Sequence, residues 1–123
     1  MPTKSLEKSH NNTQHYVHWF RHSAPYINAH RDKTFVLMFG GEAVRDPNFE
    51  HIIHDIALLH SLGIRLILVH GARPQINHNL KEKGIETPFY DNCRITTRES
   101  LSCVMSAVGS IRLEIEALLS MGL

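Results

Sequence analysis

Several things are scarce in this sequence, and each scarcity narrows the chemistry. Only two cysteines occur in 123 residues. Cys93 and Cys103 match no metal-ligand spacing and are read as buried or free thiols of a reducing cytosol, so a cytoplasmic location is expected. Neither sign of charge dominates: 13 Lys and Arg against 12 Asp and Glu leave +1. Nothing therefore calls for nucleic acid or a membrane surface as partner. The stretch Met1 to His15 has no apolar segment of the signal-peptide kind. No apolar run approaches the ~18 residues of a membrane helix. Dinucleotide and P-loop glycine spacings are both missing. Ser102, Ser106 and Ser110 sit in no nucleophile elbow, which leaves serine hydrolysis unsupported. His51, His54, Asp55 and His60 share one amphipathic segment, yet they lack the HExxH pattern or a cysteine partner. They are read as a solvated helix face, and no metal is expected.

What is present fits one domain with a modest core. Ten histidines make the charge pH-sensitive below about 6.5, the ordinary imidazole value. Residues 1–13 are polar and expected to be disordered. Over residues 14–32, Val17, Phe20, Ala24 and Ile27 recur at helical steps and predict an arm that Pro25 bends or splits. Thr34 to Phe39 is a near-continuous apolar run, the pattern of a parallel strand covered on both faces. Asp46-Pro47 predicts a helix start with Asp46 as cap. Phe49, Ile52, Ile53, Ile56, Leu59 and Leu62 mark its buried stripe, and Gly63 closes it.

Leu66 to Val69 is a second strand, so the middle of the chain is a βαβ unit. Pro74 opens a third helix ending at Gly84. Short strands are expected at Phe89-Tyr90 and Arg94-Ile95. Thr96-Thr-Arg-Glu99 reads as a capping box for a fourth helix, which Gly109 breaks. A doubly wound pattern calls for a third strand after Leu123, and two strands cannot cover four apolar helix faces. The chain is therefore expected to be the first part of a longer protein, leaving Ile111, Ile115 and Leu118 without their sheet. A small domain completed by oligomerisation is the rival reading.

Two glycine-bearing turns carry most of the chemistry: Phe35-Val-Leu-Met-Phe-Gly-Gly41 and Leu66-Ile-Leu-Val-His-Gly-Ala-Arg-Pro-Gln75. Turns at adjacent strand ends converge on the crevice where open α/β sheets bind ligands, with backbone N–H groups aimed at an anion. Plain turn chemistry is the alternative. With these motifs, residues 20–123 resemble the amino-acid-kinase fold, and within it the acetylglutamate kinase and N-acetylglutamate synthase pair. Kinases of that family carry a lysine near the end of the first strand and later His-Gly-Gly-Gly-Pro-Gln-Ile. Here Met38 stands at the lysine position and His70-Gly-Ala-Arg-Pro-Gln-Ile76 replaces the triple glycine. Met38 cannot neutralise a transferring phosphoryl group. Gly40-Gly-Glu-Ala43, His60-Ser-Leu-Gly-Ile-Arg65 and Gly71-Ala-Arg-Pro-Gln-Ile76 resemble the synthase branch.

The resemblance implies an α/β fold: the first half of a three-layer αβα domain with parallel central strands over residues 33–123, preceded by the helical arm. It implies a parent enzyme that moves acetyl from acetyl-CoA to L-glutamate in the first step of arginine biosynthesis. The family's acetyltransferase module follows the kinase-like domain, so no catalytic residue and no cofactor is expected here, acetyl-CoA being a substrate of the full enzyme. Gly40, Gly41, Gly71, Ala72, Arg73 and Arg94 would form a vestigial ligand crevice. Arg94, in Cys93-Arg-Ile-Thr-Thr97, is similar to a family arginine that pairs with a carboxylate of acetylglutamate; a surface arginine near a helix start is the other reading. Phe20-Arg-His-Ser-Ala-Pro-Tyr-Ile27 resembles the N-terminal helix of arginine-sensitive members, which links subunits into a homohexameric ring. Tyr26, with His22 one turn earlier, would border the site of the inhibitor L-arginine, unless both pack on their own domain. An acetylglutamate kinase and a non-catalytic binding fragment are the competing functions.

Overall fold

The computed structural model describes residues 3–121. Their order is helix α1 (Thr3–His30), strand β1 (Thr34–Phe39), helices α2 (Gly41–Val44) and α3 (Phe49–Ser61), strand β2 (Arg65–His70), helix α4 (Arg73–Glu82), strands β3 (Phe89–Tyr90) and β4 (Cys93–Arg94), and helix α5 (Leu101–Ser120). β1 and β2 pair in parallel, with Leu37 opposite Leu68 and Met38 opposite Val69. The period-two alternation of a strand then sorts the apolar run onto two faces. Leu37, Phe39, Leu66 and Leu68 pack on the core, whereas Val36, Met38, Ile67 and Val69 are exposed. This corrects the expectation of a strand covered on both faces: the described residues supply helices to one face only.

The core is built where α3 and α5 meet that inner face. Ile53 is fully buried, with Val44, Phe49, Ile56, Ala72, Ile111 and Ile115 around it. The rings of Phe39 and Phe49 meet edge to face at 5.7 Å, a favoured aromatic geometry. Ile111 and Ile115 are only 2% and 5% exposed, so they do not lack a cover. The uncovered apolar surface is instead the far face of the sheet. Ile52, 42% exposed, falls outside the buried stripe of α3.

Local chemistry shifts several boundaries. The Asp46 carboxylate accepts the Asn48 N–H at 2.8 Å, and its carbonyl accepts the Phe49 N–H at 2.9 Å. Asp46 thus closes an Asx turn around Pro47 rather than capping the helix, which begins at Phe49. Gly63 and Gly84 end their helices with φ of 91° and 64°, as glycine permits. Thr97, not Thr96, organises the start of α5: its hydroxyl accepts the Ser100 N–H at 3.2 Å and its carbonyl the Leu101 N–H at 3.0 Å. α5 runs unbroken through Gly109, because a glycine costs a helix only about 1 kcal/mol and the flanking apolar contacts exceed that. β3 and β4 pair antiparallel across Asp91 and Asn92, whose φ of 47° and 60° suit a tight hairpin turn.

α1 is one helix from Thr3, within the stretch expected to be disordered, and it continues through Pro25 without splitting. The proline removes one backbone donor and its ring crowds the carbonyl four residues back, at a cost of about 3 kcal/mol in a helix interior. The arm is anchored at its C-terminal end. The His30 ring packs on Phe35 at 5.4 Å, Asp32 N–H donates to the Gly63 carbonyl at 2.8 Å, and the Arg65 guanidinium donates to the Asp32 carbonyl at 2.7 Å.

The burial of Ile53 makes a direct test. Ile53→Ala should lower the unfolding free energy of the chain by about 2–5 kcal/mol in urea titration. Met38→Ala, on the open face, should change it by no more than about 0.5 kcal/mol.

Candidate functional site

The two glycine turns meet backbone to backbone. The Gly71 N–H extends the ladder by donating to the Phe39 carbonyl at 2.9 Å. A side chain on Gly71 would lie 3.2 Å from the Gly41 nitrogen. One on Gly41 would lie 2.9 Å from Pro74 Cδ and 3.0 Å from Ala72 Cα, besides striking the Gln75 amide oxygen. Gly41 therefore needs glycine because the other strand's turn occupies the space, and at Gly71 a side chain would press tightly on the first turn. Gln75 clamps the pair: its Nε2 donates to the Gly41 carbonyl at 2.7 Å. Arg45 adds a second tie by donating to the Pro74 carbonyl at 3.4 Å. Gln75 belongs to the motif that carries the resemblance, but its spacing alone does not reveal that it joins the turns.

The mouth of this junction holds little that would bind phosphate. The Glu42 carboxylate fills the space beside Gly40, its Cδ 3.6 Å from where a side chain there would begin, so a negative charge stands at the first turn. Ala72 is buried and contributes to the core. Met38 is 81% exposed on the open sheet face.

Arg73 and Arg94 come together a little further along, on the β3–β4 hairpin. Their guanidinium carbons lie 5.8 and 4.7 Å from the centre of the Phe89 ring, within cation–π range. Arg73 donates to the Asn92 carbonyl at 2.9 Å and so latches the second glycine turn to the hairpin. Arg94 donates from one terminal nitrogen to the Thr87 hydroxyl and from the other to the Asn77 side-chain oxygen. Each of those nitrogens carries a second hydrogen, so the fork keeps donors for a carboxylate. A groove of about 510 Å³ borders it, lined by Asn77, Leu80, Lys81, Thr87 and Phe89. Phe89, Asn77 and Thr87 were not singled out by sequence reasoning, since their roles depend on the hairpin folding back onto α4.

His22 and Tyr26 stand apart from both clusters. They lie on α1, where Tyr26 is 71% exposed and His22 is exposed with its ring against His18. Neither is packed away on the domain. Among the described residues no group of three or more His, Cys, Asp or Glu could hold a metal ion, and no helix is long and apolar enough to cross a membrane.

The profile of the amino acid kinase family matches residues 33–123. An amino-acid acetyltransferase of Azotobacter vinelandii is 59% identical over 106 residues, covering 86% of this chain and 24% of that protein. Another, from Pseudomonas syringae pv. syringae, is 58% identical over the same shares. The chain thus spans about a quarter of the length of these relatives. A crystal structure of N-acetylglutamate synthase from Neisseria gonorrhoeae, complexed with coenzyme A and L-arginine, is similar with a TM-score of 0.75 and 31% identity, over 88% of this chain and 26% of that one. The same synthase complexed with coenzyme A and N-acetyl-glutamate gives 0.74 and 32%, over 85% and 25%.

The close approach at Gly41 predicts opposite outcomes for two alanines. Gly41→Ala should destabilise the chain by about 1–3 kcal/mol. Gly109→Ala, with no atom within 4 Å of the new methyl group, should stabilise it by roughly 0.5–1 kcal/mol. Urea midpoints of the two variants check both signs.

Proposed function

Because the chain belongs to the amino acid kinase family, we propose that it is the N-terminal, regulatory part of an N-acetylglutamate synthase and that it has lost phosphotransfer. The full protein would transfer acetyl from acetyl-CoA to L-glutamate in the cytoplasm, at the first step of arginine biosynthesis. That reaction needs a deprotonated glutamate amine held against the thioester, work for residues outside this segment. The segment itself uses no cofactor. Its part is to bind L-arginine as inhibitor and to join subunits, as a hexamer, through α1.

Two chemical features disfavour the kinase alternative. Phosphoryl transfer depends on cations placed around the moving group, and the first turn offers Met38 and the Glu42 carboxylate instead. In place of the glycines of the family's kinases, the second turn carries Ala72, buried in the core, and Arg73, tied to the Asn92 carbonyl. The observation that carries the regulatory reading is the geometry of α1. It leaves the domain at one end and holds His22 and Tyr26 out from it, available to a ligand or a neighbouring subunit.

In the full-length protein, ATP-dependent phosphorylation of N-acetylglutamate should be undetectable. Turnover of roughly 1–100 per second, ordinary for a kinase, would overturn the assignment. Tyr26→Ala should raise the arginine concentration for half-inhibition about fivefold or more, the scale of a typical allosteric coupling, while leaving uninhibited acetyl transfer intact. Unchanged inhibition would remove α1 from the control site.

A further inference from the structure

Side chains four residues apart on a helix lie one above the other. His18 and His22 are such a pair on α1, their ring centroids 4.1 Å apart and their planes inclined by 39°. Both are exposed. Two imidazoles bound side by side to one ion, through bonds of ~2.1 Å, place their centroids about 4.5–5.5 Å apart. A small rotation of each side chain therefore turns the stacked pair into a chelate.

The surroundings select the kind of ion. Residues 12–31 contain no Asp or Glu, so the donors are nitrogen alone. Magnesium and calcium, which seek oxygen, find nothing there. Nickel, copper and zinc suit imidazole. At about 100° per residue, His15, His18, His22 and Tyr26 fall on the side of α1 roughly opposite the apolar stripe of Val17, Phe20, Ala24 and Ile27. Covering the stripe thus leaves the imidazoles open to solvent.

We propose that His18 and His22 form a two-imidazole site for a divalent transition-metal ion of the nickel, copper and zinc class, with water completing the coordination. Two protein ligands hold an ion exchangeably, unlike a closed structural site. Ligation requires both rings neutral, so the ion competes with protons and is held more weakly as the pH falls. Arg21, His15 and Tyr26 are the titratable neighbours on the helix, and the charge of Arg21 opposes the ion and weakens the site further. The inference is independent of the arginine reading, although His22 is common to both.

Titration calorimetry of the purified chain with nickel chloride near pH 7.5 tests it. His18→Ala and His22→Ala should each weaken the tightest site about tenfold or more, as should lowering the pH to about 5.5. His51→Ala, which alters the spaced pair on α3, should leave that site unchanged. Equal affinity in the wild type and His18→Ala, a loss confined to His22→Ala, or an equal loss in His51→Ala would each overturn the proposal. Both substitutions lie on an exposed helix face, and far-ultraviolet circular dichroism verifies that the helix is kept. Arginine binding weakened by Tyr26→Ala but not by His18→Ala separates the fate of the two sites.

Discussion

The contact between the two glycine turns fixes the rest of this structure. Parallel pairing of β1 and β2 brings the turns to the same end of the sheet, and the Gly71–Gly41 approach leaves no room for side chains between them. From that junction α2 and α4 leave in directions set by the Gln75 and Arg45 ties. α4 in turn positions the hairpin, through Asn77 beneath Arg94 and Arg73 on Asn92. A ligand site in this fold is thus a by-product of how the strands end. The side chains around the junction are the Glu42 carboxylate and, further along, the two arginines at Phe89.

The energetics are lopsided in the same way. One sheet face makes the core with α3 and α5, and the other exposes Val36, Met38, Ile67 and Val69. Apolar burial contributes roughly 25 cal/mol per Å² removed from water, so whatever covers that face adds substantially to stability. The four side chains form a continuous patch because parallel register sets Val36 beside Ile67 and Met38 beside Val69.

Much of this was legible in the sequence, for identifiable reasons. Helix ends at Gly63 and Gly84 and the strand at Thr34–Phe39 follow from local rules that little else can override. The family followed from the motifs around Gly40 and Gly71. The misreadings share a cause in tertiary context. Gly109 is a breaker by propensity, but α5 holds its glycine against a packed core, and α1 is not split at Pro25. The apolar β1 run reads as buried on both sides because its far face is built for a cover that these residues do not supply. Asp46 and Thr96 misled because an Asx turn at Asp46 and a threonine turn at Thr97 precede the helices that begin at Phe49 and Leu101. The pairing of Arg73 with Arg94 over Phe89 was hidden, since nothing in linear order announces that the hairpin returns to α4.

Helix α1 has a mechanical consequence. Its 28 residues, at 1.5 Å each, make a rod of about 42 Å held at one end. The fulcrum is the short Asp32 segment, fixed by the Gly63 carbonyl and the Arg65 guanidinium. Turning such a rod by about 10° moves its far end some 7 Å, more than one helical turn. A displacement at the fulcrum too slight to disturb the core is thereby magnified at the tip. The root, where Arg65 ties the second strand to the end of the helix, is thus the point from which the position of the whole arm is set.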